Sequence, residues 1–304
     1  MNDNAAGYTH PDYVASLAEF GEPLHLPGSG GWLLRRRIGA SDLCDAMGPY
    51  PLFFCRDWNQ LSSDLATLAD ELVSVVVVTD PFAGCTEDVL SVTFDRVLRF
   101  KDHFVVALDR PPEAFVRKSH QVHARRALRS VEVDVCANPL DHLADWLRLF
   151  GTLSNRHAIS GLRAFSPHAF EQQLTLPGLV MFRARAGDDV VGLDLWYVQD
   201  DVAYGHLAAF SDVGYTLRAS YATKWTMLNF FWQRVRWVDL AGSAGATVED
   251  GDGLAAFKSG WSTGTKPVFL CERVLQPERY AALIASAGRS DPSYYPAYRA
   301  GEFI

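Results

Sequence analysis

The chain has 304 residues, enough for two modest domains or one large one, and its 48% hydrophobic and 12% aromatic content fills cores of that size. With 21% charged residues and a formal net charge of −8, no overall basic field draws it to nucleic acid or anionic lipid, so any RNA contact needs a local patch. Five widely spaced cysteines without a Cys-x-x-Cys pair exclude a zinc or dithiol redox motif and read as reduced core thiols. The start, Met1-Asn2-Asp3-Asn4, lacks a basic region leading into an apolar core. The longest nearly apolar run, 72–78, is too short to span a bilayer of about 30 Å. A soluble, cytoplasmic protein is expected.

The first three dozen residues, rich in Gly, Pro and His, read as an extended lead-in. The run Gly28-Ser29-Gly30-Gly31 has no following Lys-Ser/Thr and is not a phosphate loop. A first strand is expected over 33–38, a helix over 64–72 from the spacing of Leu65, Leu68, Ala69 and Leu72, and a buried strand over 73–79. A strand over 104–108 and a helix over 114–129 follow. That helix gathers Arg117, Lys118, His120, His123, Arg125, Arg126 and Arg129, either a solvated face or a site for phosphate groups. His120 and His123 stand three apart without a further ligand at metal spacing, so no metal site is expected.

Past a short strand at 132–135, an amphipathic helix over 141–153 opens the second half. Strands over 178–186, 190–198 and 201–210 form an antiparallel meander hinged at Gly187-Asp188-Asp189, followed by a helix over 219–234. A last helix over 277–287 precedes the Tyr- and Pro-rich tail 291–304, which is expected to pack back on the body.

The richest stretch is Val238-Asp239-Leu240-Ala241-Gly242-Ser243-Ala244-Gly245, an acidic loop, and then Gly253-Leu254-Ala255-Ala256-Phe257-Lys258-Ser259-Gly260-Trp261. It reads as a strand, a glycine turn, and a lysine set between aromatics and glycines, which suits an anionic or carbonyl-bearing substrate. In order and type it resembles the end of the acyltransferase domain of the Gcn5-related (GNAT) superfamily, in the branch holding the Fem peptidoglycan-bridge transferases and the cellulose-biosynthesis acetyltransferases. There an aspartate-glycine strand end precedes a Gly-Leu-x-x-Phe-Lys turn. Upstream the resemblance takes in Leu153-Ser154-Asn155-Arg156-His157-Ala158-Ile159, Phe165-Ser166, Pro177-Gly178 and Val190-Val191-Gly192-Leu193. It continues through Tyr204-Gly205-His206-Leu207-Ala208-Ala209 and Gly214-Tyr215-Thr216-Leu217-Arg218-Ala219-Ser220-Tyr221-Ala222, about half the chain.

The resemblance implies an α+β fold of two tandem GNAT-like halves, mixed central sheets flanked by helices. Its parts are a degenerate N-terminal half at 1–135, an acyltransferase domain at 136–290 and the tail. It implies an N-acyltransferase that carries an acyl group, acetyl in the superfamily's pattern, from acyl-CoA to a small-molecule or cell-envelope precursor amine. By position, Gly214, Tyr215, Arg218 and Ser220 would hold the donor. The superfamily's phosphate loop is Arg/Gln-x-x-Gly-x-Gly/Ala, whereas this chain has Asp212-Val213-Gly214-Tyr215-Thr216-Leu217. The Fem branch also lacks that loop and takes aminoacyl-tRNA, so tRNA stands as the alternative donor, and a non-catalytic binding module as a third reading.

Amide formation needs a deprotonated amine, a polarised carbonyl and a protonated leaving group, with no covalent nucleophile. No Gly-x-Ser-x-Gly elbow occurs. Alternation puts Tyr204 and His206 on one strand face, making His206 a candidate base, with a hydrogen-bonded structural histidine as the other reading. Asp239 would orient the amine or cap a turn, and Lys258 would polarise the carbonyl or hold donor phosphate. Arg218 would add a cation at a helix start. Tyr204, Trp196 and Phe257 are the candidate substrate contacts.

Overall fold

The computed structural model describes residues 5–242, 253–287, 291 and 294–302. Ser243, Ala244, Gly245 and the acidic loop after them lie outside the described residues, as do Met1 to Asn4 and parts of the tail. In chain order the elements are α1 (Pro11–Ala15), β1 (Glu22–Leu26), β2 (Gly31–Arg37), β3 (Cys44–Met47), α2 (Trp58–Thr67), β4 (Leu72–Val78), α3 (Glu87–Thr93) and β5 (Arg96–Ala107). Next come α4 (Lys118–Ala127), β6 (Glu132–Val135), α5 (Leu143–His157), α6 (Pro167–Gln173), β7 (Leu179–Ala186), β8 (Asp189–Gln199) and β9 (Val202–Phe210). The last are α7 (Asp212–Thr216), α8 (Ala219–Phe231), β10 (Trp237–Asp239), α9 (Gly253–Ser259), β11 (Gly264–Val274) and α10 (Pro277–Ser286).

Two compact units result. The first takes in residues up to His10, Lys101–Ile159 and Ser166–Lys266, and the second Pro11–Phe100, Ser160–Phe165 and the chain from Pro267. In the second unit the strand order is β1-β2-β3-β4-β11, with pairings antiparallel, antiparallel, parallel, antiparallel. In the first unit β7-β8-β9-β10-β5 gives the same series, and β6 adds an antiparallel edge to β7. Each unit thus repeats one plan: a meander, a helical crossover into a parallel strand, and a closing antiparallel strand. The closing strands are exchanged in sequence, since β5 follows β4 but pairs with β10, while β11 follows β10 but pairs with β4. The sequence halves therefore interleave with the compact units. This is the α+β fold of tandem halves.

Local chemistry accounts for the elements. β4 is Leu-Val-Ser-Val-Val-Val-Val, a β-branched run buried on both faces, as a strand with neighbours on each side requires. The Asp57 carboxylate caps α2 by accepting from the Asn59 N–H at 2.9 Å, which starts that helix earlier than Leu spacing alone indicates. Ser166 caps α6 in the same way, with Pro167 in its first turn. The lead-in is structured: Gly28 and Ser29 sit in the β1–β2 turn, and both amides donate to the Asp64 carboxylate, at 3.0 and 2.6 Å. The helix expected over 114–129 begins only at Lys118, because Arg117 has non-helical backbone (ψ 133°) and its N–H donates to the Gly260 carbonyl at 2.9 Å.

The second unit's core gathers Leu33, Phe53, Leu65, Val75 and Cys271, and the first unit's gathers Val106, Phe182, Trp196, Phe231 and Trp261. The tail returns within the second unit. Tyr298 donates to Asp45 at 2.9 Å, and Arg299 grips both Asp45 oxygens at 2.6 and 2.9 Å. No helix among the described residues is long and apolar enough to cross a membrane.

Candidate functional site

The sequence candidates all fall in the first unit; Asp239 and Lys258, Arg218 and Phe257, and His206 and Tyr204 belong to three groups, and Trp196, Gly214, Tyr215 and Ser220 stand outside them. The first surrounds the end of β10. Val105 of β5 pairs with Asp239 in antiparallel register, so His103, two residues along the same face, is the diagonal neighbour of Asp239. His103 Nδ1 lies 2.8 Å from Asp239 Oδ2, and both side chains are buried. The other carboxylate oxygen accepts the Ala241 N–H at 2.8 Å, the turn-capping contact weighed for this aspartate. One residue further on, the Gly242 carbonyl accepts from Lys258 Nζ at 2.5 Å. Lys258 stands on helix α9, not on a turn as its glycine-flanked setting indicates. The stretch 238–261 thus brings Asp239 and Lys258 to adjoining backbone, and β5 adds His103, which pattern reading missed.

The second group is basic and aromatic. His120 of α4 reaches the Phe257 carbonyl at 3.1 Å through Nε2, and its ring lies 5.2 Å from Tyr221, 5.9 Å from Phe257 and 5.0 Å from Trp261. A Cβ on Gly260 would come within 2.2 Å of His120 Nε2, so the glycine of the Phe-Lys-Ser-Gly-Trp run serves the approach of this ring. Arg218, in left-handed backbone at the cap of α8, contacts His123, and Arg117 donates to the Ser259 hydroxyl at 3.3 Å. Burial first, then the charges of Arg117 and His123, pushes the His120 pKa below its ordinary value. For His123 the causes are burial, then Arg218 and Arg126. Positive potential is concentrated here, among segments far apart in sequence.

Within the third group, His206 is sealed. The pairing of β8 with β9 skips it, Leu195 facing Leu207 and Trp196 facing Gly205, so His206 is the extra residue of a bulge. Its Nδ1 lies 3.0 Å from the Tyr8 hydroxyl and its Nε2 3.2 Å from Gln173 Oε1. Burial pushes its pKa down to about 3. Tyr204, also buried, packs edge-on to Tyr8 at 6.0 Å. Tyr8 and Gln173 carried no sequence signal, because the bulge that turns His206 toward them is a property of strand register.

Trp196 is wholly buried, with Lys224 Nζ 4.4 Å over its ring, and Lys224 pairs with the buried Asp194 at 2.8 Å. Gly214 lies inside α7, and a Cβ there would stand 2.3 Å from the Val191 carbonyl oxygen, so close packing on β8 demands glycine. Tyr215 is exposed beneath the Arg156 guanidinium at 4.4 Å, and Ser220 stands half-buried in the first turn of α8. Among the described residues no group of three or more His, Cys, Asp or Glu is placed to hold a metal ion.

In sequence, neither a protein-family model nor a curated protein matches the chain. In structure it is similar to FemX at 12% identity and a TM-score of 0.67, covering 92% of this chain and 95% of that one. It is also similar to the C-terminal domain of a putative lysylphosphatidylglycerol synthetase from Agrobacterium fabrum, at 14% identity and a TM-score of 0.63, covering 92% and 90%. A third likeness is L-PGS from Bacillus licheniformis, at 10% identity and a TM-score of 0.58, covering 90% and 94%. The chain therefore shares the fold of FemX and of the synthetase domain over 92% of its length.

Proposed function

We propose that this protein is a transferase that joins an acyl group to an amine, and that its donor is an aminoacyl-tRNA. The observation that carries the reading is the cation cluster beside α9. In a chain of net charge −8, helix α4 has no acidic residue, and Arg117, Arg126 and Arg218 gather around His120 and His123 next to the Phe257–Trp261 aromatics. Arg125 and Arg129 continue the exposed basic surface. Such an extended patch suits a string of phosphates, with aromatic faces to hold a base or ribose. The fold shared with FemX and with the synthetase domain supports group transfer of this kind.

In this reading Lys258, reaching from α9 to the Gly242 carbonyl just past β10, polarises the acyl carbonyl as charge develops on its oxygen. Phe257 borders the donor, and the acceptor is a small or cell-envelope-related amine. Acyl-CoA is the second reading, favoured by Arg218 at the N-terminus of α8, where the helix dipole adds to its charge. Against it, Gly214 is closed on the Val191 carbonyl and leaves no glycine loop for a diphosphate.

The test is product formation by purified protein with charged tRNA or acetyl-CoA as donor, across salt concentration. Transfer from charged tRNA that RNase abolishes and that weakens steeply with salt supports the proposal. Product from acetyl-CoA in RNase-treated protein overturns the donor assignment. Binding of both donors without transfer from either means a binding module on this fold.

A further inference from the structure

We propose that His103, oriented by Asp239, is the general base that takes the proton of the acceptor amine, an assignment that rests on the acyl-transfer reading above. The carboxylate of Asp239 already accepts the Ala241 N–H through Oδ1, and its Oδ2 lies 2.8 Å from His103 Nδ1. A carboxylate only accepts hydrogen bonds, so the contact selects the tautomer with the proton on Nδ1, in which Nε2 presents its lone pair. Nε2 has no hydrogen-bond partner among the described residues. The register of β5 on β10 fixes the pair, through Leu240 N–H donating to the Phe104 carbonyl at 2.9 Å and Phe104 N–H donating to the Ala241 carbonyl at 3.2 Å. Ala241 and Gly242 then connect this pair to Lys258, the carbonyl-polarising cation.

Of the buried histidines in this unit, His103 alone has this arrangement. His206 uses both ring nitrogens, on Tyr8 and Gln173, and is held neutral. The Nε2 of His120 is taken by the Phe257 carbonyl. Asp239 from β10 is the charged group in contact with His103; Lys101 and Asp102 precede it on β5, and Lys258 from α9 contacts the Gly242 carbonyl three residues beyond Asp239.

The step balances without a further reactant. His103 Nε2 takes a proton from the acceptor ammonium, and the free amine nitrogen attacks the acyl carbon; a C–N bond forms and the carbonyl π pair moves to oxygen beside Lys258. The tetrahedral intermediate collapses, the bond from carbon to the donor's oxygen breaks, and the remaining N–H proton of the adduct goes to that oxygen. His103 returns its proton to solvent, restoring the neutral ring. Asp239 is the positioning residue, steadying the imidazolium between the two transfers.

The experiment compares two acceptors that differ in their need for a base: n-butylamine, protonated at neutral pH, and hydroxylamine, already a free base there. Charged tRNA and acetyl-CoA serve as donors. His103→Gln is expected to slow transfer to butylamine about 100-fold while transfer to hydroxylamine stays close to wild type, and Asp239→Asn to do the same by favouring the wrong tautomer. Equal loss with both acceptors, or no loss with either, overturns the base assignment. Wild-type protein that transfers to neither acceptor overturns the acyl-transfer reading and the base with it. Because both residues are buried, nitrogen NMR of the His103 ring in the wild-type protein gives an independent readout. A neutral ring protonated on Nδ1 supports the assignment, and one protonated on Nε2 overturns it.

Discussion

His206 and Tyr8 are bound to each other inside the first unit, Nδ1 to hydroxyl at 3.0 Å, although 198 positions separate them in sequence. The pair has a thermodynamic signature. His206 is neutral in the folded protein with its pKa at about 3, far below its ordinary value, because burial penalises the charged ring. The unfolded chain binds that proton first, so stability is intact above about pH 6.5 and falls as pH drops toward the folded value. Between pH 6.5 and 5 the loss is expected to be about 2 kcal/mol. Urea unfolding across that range measures it. A His206→Asn variant should show a flatter profile, and one as steep as wild type contradicts the assignment of the loss to this ring.

In the second unit the tail is held by charge burial. Asp45 is almost fully enclosed, receives two bonds from Arg299 and one from Tyr298, and lies 3.6 Å from Arg36. Removing the acid leaves cations without their partner in a dry site. Asp45→Ala should cost about 3 to 5 kcal/mol, and the midpoint of urea unfolding reports it. A variant within half a kcal/mol of wild type means the tail contributes little there.

Gly214 and Arg218 separate packing from donor binding. Gly214→Ala places a methyl carbon 2.3 Å from a backbone oxygen that has no rotamer in which to yield. The expected cost is about 1 to 3 kcal/mol of stability, read by thermal melting. Arg218→Ala, on an exposed side chain, should leave melting near wild type while weakening tRNA binding and reducing the salt slope by about one phosphate contact. An unchanged slope removes Arg218 from the donor surface.

Lys258→Ala should cut turnover about ten- to a hundredfold through loss of a charge-assisted contact worth about 1.5 to 3 kcal/mol, with a much smaller change in stability. Steady-state rates and melts on the same preparation decide this. Wild-type turnover in the variant rejects the role.

The fold was legible where composition and period agree. The β-branched run of β4, the short strand β6 and the hairpin around Gly187 lie where pattern placed them, since each signal is local. Non-local pairing was not legible. The exchange of β5 and β11 leaves no periodicity, and β1 was hidden in a Gly- and Pro-rich stretch whose turn is completed by Asp64, 36 residues from Gly28. The site shows the same division. Lys258 and Asp239 stood out from their neighbours, whereas His103 sits among polar residues that resemble a solvated strand face, and only the β5–β10 register carries it to Asp239. Alternation put Tyr204 and His206 together, and both do approach Tyr8, but nothing local reveals that Tyr8 and Gln173 close over the histidine.

The central claim is transfer of an acyl group from a charged tRNA through the end of β10 and the basic surface of α4. Its most direct test is a single-turnover assay with radiolabelled aminoacyl-tRNA and an excess of n-butylamine, comparing wild-type protein with a triple variant in which Arg117, Arg126 and Arg218 are alanine. The expected result is label moving from tRNA to an amide in the wild type, with RNase and 0.5 M salt each abolishing transfer, and the triple variant recovering it only at much higher tRNA concentration. Label remaining on tRNA in the wild type, or equal transfer by wild type and triple variant at every tRNA concentration, contradicts it.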